Sequence, residues 1–543
     1  MPLPDENTSW LPPAFEPYFD AIDTFDDWYV GDVDRLTSAY ANKPITHPAQ
    51  HNGGIVGFGA RAWLGKPQKG GENRVRLHIP LPADIATLSA DYLFGEAPRV
   101  VLPGERGTEG ENDRDRMQAR VEKIINTPRF HSLLLESGEV SSALGGTYLR
   151  LVWNQDDLRE VRAEAVHADA AIPTFRYGDL HEVTFFTEYE GKRGVVWRHL
   201  EHHSRGRVEH ALFEGTTSNL GRRVPLTDRR ETEWLSEVVD DDSGLDTGVE
   251  GLTAAYIPNM RPNKRFRKDP ALTRLGQSDF ADITQLFDAI DEVWSSWMRD
   301  IRLAKARIVV AKQYLESNGF GQGASFDVDR EVYEGMNTIT GPGGQDFGFH
   351  AHQFNIRVEE HAATIKELRD QAMRSAGWTP GSAGGDATGM RTATEIKADE
   401  RLSERTRDKK ANYWKAGVQE FLLTWLQLDS VLYGGPFPEE PPEFRFPAEA
   451  QADQESMART NQMLYAAQSA SIETRVRMQH PDWDGETVNK EVDRIKDEFG
   501  IGKASDPTVV RTVDDATTPS QDDIDRMRER MERGDETEDE PDE

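Results

Sequence analysis

Apolar positions along this chain keep a mixed rhythm up to about residue 275 and a helical one beyond it. In "RLHIPLPADIATLSADYLFGEAPRVVLP" (76–103), Ile85, Leu88, Tyr92 and Leu93 share a helical face, and "PRVVLP" predicts a short strand. Residues 112–137 predict a charged helix followed by a more apolar one. "GGTYLRLVW" (145–153) alternates, with Leu149, Leu151 and Trp153 on one face, the pattern of a half-buried strand. "EVTFFTEYEG", "GVVWRHLEHH" and "RVEHALFEG" continue the strands to about residue 215, and the acidic stretch 232–250 predicts a loop. Ahead of all this, the first 75 residues are rich in Pro, Gly and aromatics around one apolar-acidic stretch, "YFDAIDTFDDWYVGDVDRL".

Beyond residue 275 the period lengthens. "SDFADITQLFDAIDEVWSSWMRDIRLAKARIVV" (278–310) predicts a long helix, because Ile283, Leu286, Phe287, Ile290, Val293, Trp294, Trp297 and Ile301 recur at three- and four-residue steps. Asp279 stands where a carboxylate suits the start of a helix dipole. Residues 311–356 read as compact and mixed, with turn-rich "TGPGGQDFGFH" inside. A second helix fits 358–377, and a third runs from Thr392 to near Tyr433, where "PFPEEPPEF" stops it. Two more fit "DQESMARTNQMLYAAQSAS" and "GETVNKEVDRIKDEFG". No internal repeat is visible.

Composition narrows the function classes. With 543 residues, two to four domains are expected. There is no cysteine, so disulfides, thiolate zinc sites and cysteine nucleophiles are excluded, and the expected setting is intracellular or otherwise independent of oxidation. Mean hydropathy is -0.68. No apolar run reaches the roughly eighteen residues of a membrane span, and "MPLPDENTSWLPPAF" lacks the basic-then-apolar pattern of a signal peptide. Formal net charge is -32. Tight DNA binders gain affinity by neutralising phosphates. A chain this acidic is expected to repel DNA over most of its surface, which disfavours a tight DNA binder and leaves open a protein that lets DNA slide past. Residues 504–543 hold 15 acidic and 5 basic side chains and are expected to be disordered in isolation.

"TPGSAGGDATGMRTATEI" (379–396) is the stretch where glycine-rich chain turns abruptly helical. A phosphate-cradling P-loop follows a strand and ends in Lys-Ser/Thr. Here a helix precedes the loop, and Gly389 is followed by Met390 and Arg391, so a nucleotide site is disfavoured. Thr392 and Glu395 have the spacing of a capping box. The loop is longer than a helix connection requires, which leaves a surface linker or a functional excursion. His199, Glu201 and His203 alternate in "WRHLEHH"; on one strand face they form either a zinc-binding trio without an evident fourth ligand or a polar surface. "RPNKRFRK" (261–268) is the one dense basic cluster, open to three roles: a phosphate contact, a solvated loop or a salt-bridge partner for another subunit. Among 96 acidic residues no pair of carboxylates stands out as acid and base, and neither G-x-S-x-G nor H-E-x-x-H occurs. An enzyme reading has no positive support, and no cofactor is expected.

The order of these pieces resembles the portal proteins of tailed bacteriophages. "PLPADIATLSADYLFGEAP" resembles an early portal segment ending in a Gly-Glu-x-Pro turn. "AAYIPNMRPN" is similar to the strand and Asn turn before the stem, and "LGQSDFADITQLFDAIDEVWSSWMRDIR" to the Gly-x-Ser-Asp stem helix. "RTATEIKADERLSERTRDKKANYW" resembles the long helix after the tunnel loop, and "ASIETRVRMQHPDWDGETVNKEVDRIKDE" the terminal helical region. The likeness spans roughly residues 75–500, and its strength lies in order and spacing.

The resemblance implies an α+β, multidomain portal architecture: a mixed wing (1–275), a stem helix (276–305), a small α/β clip (306–356) and a second stem helix (357–376). A tunnel loop (377–391), a long helix returning to the wing (392–444), a helical crown (445–503) and the acidic tail (504–543) would follow. It implies a ring of about twelve copies at the portal vertex of the virion, assembled in the host bacterial cytoplasm. Partners would be double-stranded DNA held without sequence preference, the terminase, a head-completion or adaptor protein, and the major capsid or scaffold protein, with no membrane. In the tunnel loop, Gly381, Gly384, Gly385 and Gly389 would allow movement; Ser382, Thr388 and Arg391 would touch phosphates weakly, beside Asp386 and Met390. Leu286, Ile290, Val293, Trp294, Trp297 and Ile301 would pack the stem. No catalytic or metal residue is implied. The competing classes are another phage neck or adaptor protein and a nucleotide-dependent DNA-processing factor, which would bind ATP.

Overall fold

The computed structural model describes residues 3–36, 77–104, 113–154, 158–240, 243–303, 307–309, 316–317, 324–325, 350–352, 357–383, 393–447, 454–480 and 485–499. The chain divides into two compact units, Met1–Pro447 and Ala448–Glu543.

In the first unit, helix α1 (Glu16–Val30) buries Tyr18, Phe19, Ile22, Phe25 and Trp28 and stops at Gly31, whose φ of 68° is a left-handed cap. Its three- and four-residue apolar spacing makes a helix of the apolar-acidic stretch, with the carboxylates facing outward. Helix α2 (Leu81–Phe94) leads to strand β1 (Arg99–Val101), then to α3 (Asp113–Ile124) and α4 (Pro128–Leu144). Thr127 caps α4, its hydroxyl accepting from the Phe130 amide at 3.3 Å, and Pro128 occupies the first turn.

Strand β2 (Gly146–Val152) runs antiparallel between β3 (Arg162–His167) and a later strand. Five strands then form an antiparallel meander: β4 (Ala171–Arg176), β5 (Asp179–Glu190), β6 (Val196–Ser204), β7 (Arg207–Thr216) and β8 (Asn219–Val224). β9 (Gly244–Asp246) joins β7, so the acidic stretch expected as a loop contributes a short strand. β10 (Ala254–Pro258) returns to β2, Tyr256 opposite Tyr148.

The β10-β2-β3 sheet separates two hydrophobic cores. Tyr148 and Tyr256 point into one, with Phe19, Trp28, Phe287 and Trp378; Leu149, Leu151 and Ile257 point into the other, with Phe94, Trp414, Phe421 and Trp425. β2 is therefore buried on both faces, not one, because its alternating side chains feed both cores.

Helix α5 is Thr284–Leu303. It begins later than the sequence predicts, since 278–283 form turns, and it ends before 307. Of the expected clip, the structure describes β11 (Arg307–Val309), β12 (Glu316–Ser317), β13 (Ala324–Ser325) and β14 (His350–His352), with β11 pairing β14 and β12 pairing β13. Helix α6 (Val358–Ala376) pairs with α5 and ends at Gly377. Helix α7 (Ala393–Tyr433) has 41 residues, about 60 Å at 1.5 Å per residue. Strand β15 (Glu443–Arg445) pairs with β1. Burying Trp414 and Trp425 removes roughly 200 Å² of each from water, about 5 kcal/mol apiece.

The second unit contains α8 (Gln454–Ala466), α9 (Ile472–Gln479) and α10 (Gly485–Glu498), the last two burying Val476, Val488 and Val492 between them. Ser471 caps α9, accepting from the Thr474 amide at 3.1 Å. Three helices stand where two were expected, because α9 is short. The expected tail, 504–543, lies outside the described residues.

Candidate functional site: the junction of α5, α6 and α7

The roots of α5 and α6 meet on one face of α7. Gly145, at a φ of +93°, caps α4 and lets the 276–278 backbone approach; a Cβ there would lie 2.9 Å from the Ser278 nitrogen. The Ser278 hydroxyl donates to the Ala143 carbonyl at 2.5 Å. The Asp279 amide donates to the Ser142 carbonyl at 3.0 Å. Asp279 is thus no helix-dipole carboxylate. Its Oδ1 accepts from Asn259 Nδ2 at 2.8 Å, and its Oδ2 from the Ser142 hydroxyl at 2.6 Å and from Lys410 Nζ at 2.5 Å.

Lys410 Nζ also donates to the Ser89 hydroxyl at 2.7 Å and lies 5.2 Å from the ring of Trp378. The side chains of Lys410 and Asp279 are 1% and 4% exposed. Burial pushes the Lys410 ammonium below the usual lysine range, and Asp279 draws it part of the way back. Beyond α6, Gly377 turns left-handed at φ 90° and its carbonyl accepts from the Thr406 hydroxyl at 2.7 Å. The Thr379 amide donates to Ser403 Oγ at 2.9 Å.

Further along the α5–α6 pair, Asp300 accepts from Arg357 at 3.0 Å and faces His361 Nε2 at 3.1 Å; the two hold its carboxyl below the usual range, His361 foremost. Trp297 stacks on His361 at 6.0 Å and meets Trp294 edge-on at 5.3 Å. The predicted packing residues form a gradient: Ile290 is buried, Leu286, Val293, Trp294 and Trp297 are half-buried, and Ile301 is 42% exposed.

Of the nine predicted loop residues, Gly381 and Ser382 lie in the 3-10 turn Pro380–Ala383, with open space around the Gly381 Cα. Gly384, Gly385, Asp386, Thr388, Gly389, Met390 and Arg391 lie outside the described residues, as does the expected capping box at Thr392.

His199, Glu201 and His203 do share a face of β6, but other partners occupy them. Glu201 accepts from Arg150 Nη1 at 2.5 Å and pairs with His203 Nε2 at 2.7 Å. His203 Nδ1 meets the Thr253 hydroxyl at 2.7 Å. His199 Nε2 meets His210 Nδ1 at 3.1 Å, the rings stacked. Burial, aided by His210, pushes His199 down to about 4. Burial raises and Arg150 and His203 lower the Glu201 carboxyl, and the lowering prevails. Among the described residues, no group of three or more His, Asp or Glu is placed to hold a metal, and no helix is long and apolar enough to cross a membrane. In the basic cluster, Asn263 and Phe266 are buried while Lys264, Arg265, Arg267 and Lys268 are exposed; Lys264 pairs with Asp282.

Sequence reasoning missed Lys410, Ser89, Trp378, Ser403 and Thr406. A signal existed: Ser403, Thr406 and Lys410 continue, at helical spacing, the apolar stripe of Trp414, Val418, Phe421 and Trp425. A lysine on a buried stripe requires a buried acceptor.

The model of one family, described as phage portal protein, SPP1 Gp6-like, matches residues 10–498. No curated protein matches the sequence.

Proposed function

Because this chain belongs to the SPP1 Gp6-like phage portal protein family, we propose that its parts divide the work of DNA passage among themselves. The family is structural, and it implies a ring at the portal vertex of the capsid that associates with capsid and terminase. Roughly twelve copies would close that ring. In our reading, residues 1–275 form the wing, meeting scaffold or capsid protein during assembly in the host cytoplasm. α5 and α6 form the stem, and 306–356 the clip, where terminase docks and a head-completion protein later replaces it. Residues 377–391 form the tunnel loop, and 445–503 the crown.

The match over 10–498 carries this reading. The half-buried Val293, Trp294 and Trp297 and the exposed Ile301 support the stem role: they leave apolar surface that a neighbouring stem would cover. A net charge of -32 suits a channel wall that repels DNA phosphate and lets the duplex slide.

The test is deletion of Gly381 to Gly389, followed by negative-stain microscopy and a packaging assay. We expect rings to form with a central hole while DNA packaging or retention drops. Loss of ring assembly in the deletion would overturn the tunnel-loop assignment.

A further inference from the structure

Lys410 lies between two roots that are each rigid. On one side, the turns of 278–283 run without a break into α5: the Ile283 amide donates to the Phe280 carbonyl at 3.0 Å and the Leu286 amide to the Ile283 carbonyl at 2.8 Å, with Phe280 and Ile283 fully buried. Asp279 is therefore fixed to α5. On the other side, the Trp378 amide donates back to the Met373 carbonyl at 2.9 Å, and Ala372, Met373 and Trp378 are buried. Trp378 is therefore fixed to α6. The ammonium of α7 bridges them, touching the Asp279 carboxylate, the Ser89 hydroxyl and the Trp378 ring face.

A buried ammonium cannot turn to water when one of these groups moves away. Withdrawing Asp279 would strand a charge in a low-dielectric site, and withdrawing Trp378 would remove a cation–π contact and open the site. Neither root shifts without a cost to the other.

We propose that Lys410 is a positioning residue for DNA passage, joining the roots of α5 and α6 so that a push on the 377–383 turn reaches α5. This rests on the portal reading above. The ion pair does more here than stabilise: an apolar side chain of similar volume could fill the space but would not link Asp279 to Trp378.

A double-mutant cycle read by amide hydrogen exchange tests the link on the full chain. In the parent, Asp279→Asn should quicken exchange at Trp378 and Thr379, across the junction, by about tenfold or more. In the Lys410→Met background, where the Asp279 carboxylate has already lost its partner, the same change should not quicken those two amides. The introduced carboxamide keeps a side-chain oxygen for Asn259 or Ser142, so the double variant leaves no stranded charge. Quickened exchange confined to Phe280–Ile283, or equal effects at Trp378 in both backgrounds, would overturn the proposal. Ser89→Ala is the milder probe: it leaves the ion pair in place and should loosen both roots together, a few-fold, whereas loosening of one root alone would count against the link.

Rings of Lys410→Met that package DNA less well than the parent would support the functional half, and rings that package normally would refute it. Absence of rings from the unaltered protein would instead count against the ring reading, so the two failures are distinguishable.

Discussion

Acidification should weaken this fold through His199, and the effect can be isolated from the many carboxylates. His199 titrates at about 4 in the folded chain, against an ordinary value of 6.5. Between those values the unfolded chain binds a proton that the folded chain refuses, so stability falls as pH drops from about 6.5 to about 4 and levels off below. At pH 5 the penalty is about 2 kcal/mol, an upper figure because part of the ring reaches water. His210 and His202, also lowered by burial, act in the same direction. The assay is urea unfolding by tryptophan fluorescence, parent against His199→Gln, at pH 7.5, 6 and 5 and equal protein concentration. At pH 7.5 the variant should be less stable by about 1 kcal/mol, for the lost bond to His210. By pH 5 that gap should close or reverse. Parallel pH curves for the two proteins would refute the reasoning.

Two substitutions probe other parts of the first unit. Asp429, 2% exposed, grips Arg120 through both oxygens at 2.7 Å and accepts from the Val161 amide; Asp429→Ala should cost about 2–3 kcal/mol in thermal or urea unfolding, by removing the charge-assisted hydrogen bonds to a guanidinium that still reaches water. Gly145→Ala combines a φ of +93° with a backbone clash against Ser278 and should destabilise by about 1–3 kcal/mol in the same measurement.

How legible each part was depended on whether its signal was local. The extent of α7 could be read closely because a glycine-rich loop precedes it and the proline-rich "PFPEEPPEF" stops it. α9 escaped because, in eight residues, only Val476 is buried. Alternation in β2 showed a strand, but not that α7 and the β10-β2-β3 sheet would place a core on each side of it. Asp279 was placed at a helix start on dipole grounds, whereas its role is set by Lys410, 131 positions away. The histidines of β6 stayed open between a zinc trio and a polar surface because one strand cannot reveal that Arg150, Thr253 and His210 fill their hydrogen-bonding positions. Family membership was legible because it rests on the order of segments.

The pairing of β1 with β15 bears on how the protein is made. Val101 meets Glu443, so the sheet that begins early in synthesis is completed only when the last part of the first unit leaves the ribosome. Until then Phe94, Leu149, Leu151 and Ile257 lack the α7 aromatics that cover them, and such surfaces are prone to aggregation unless chaperones shield them. Connectivity alone thus makes a complete chain the condition for closing this core.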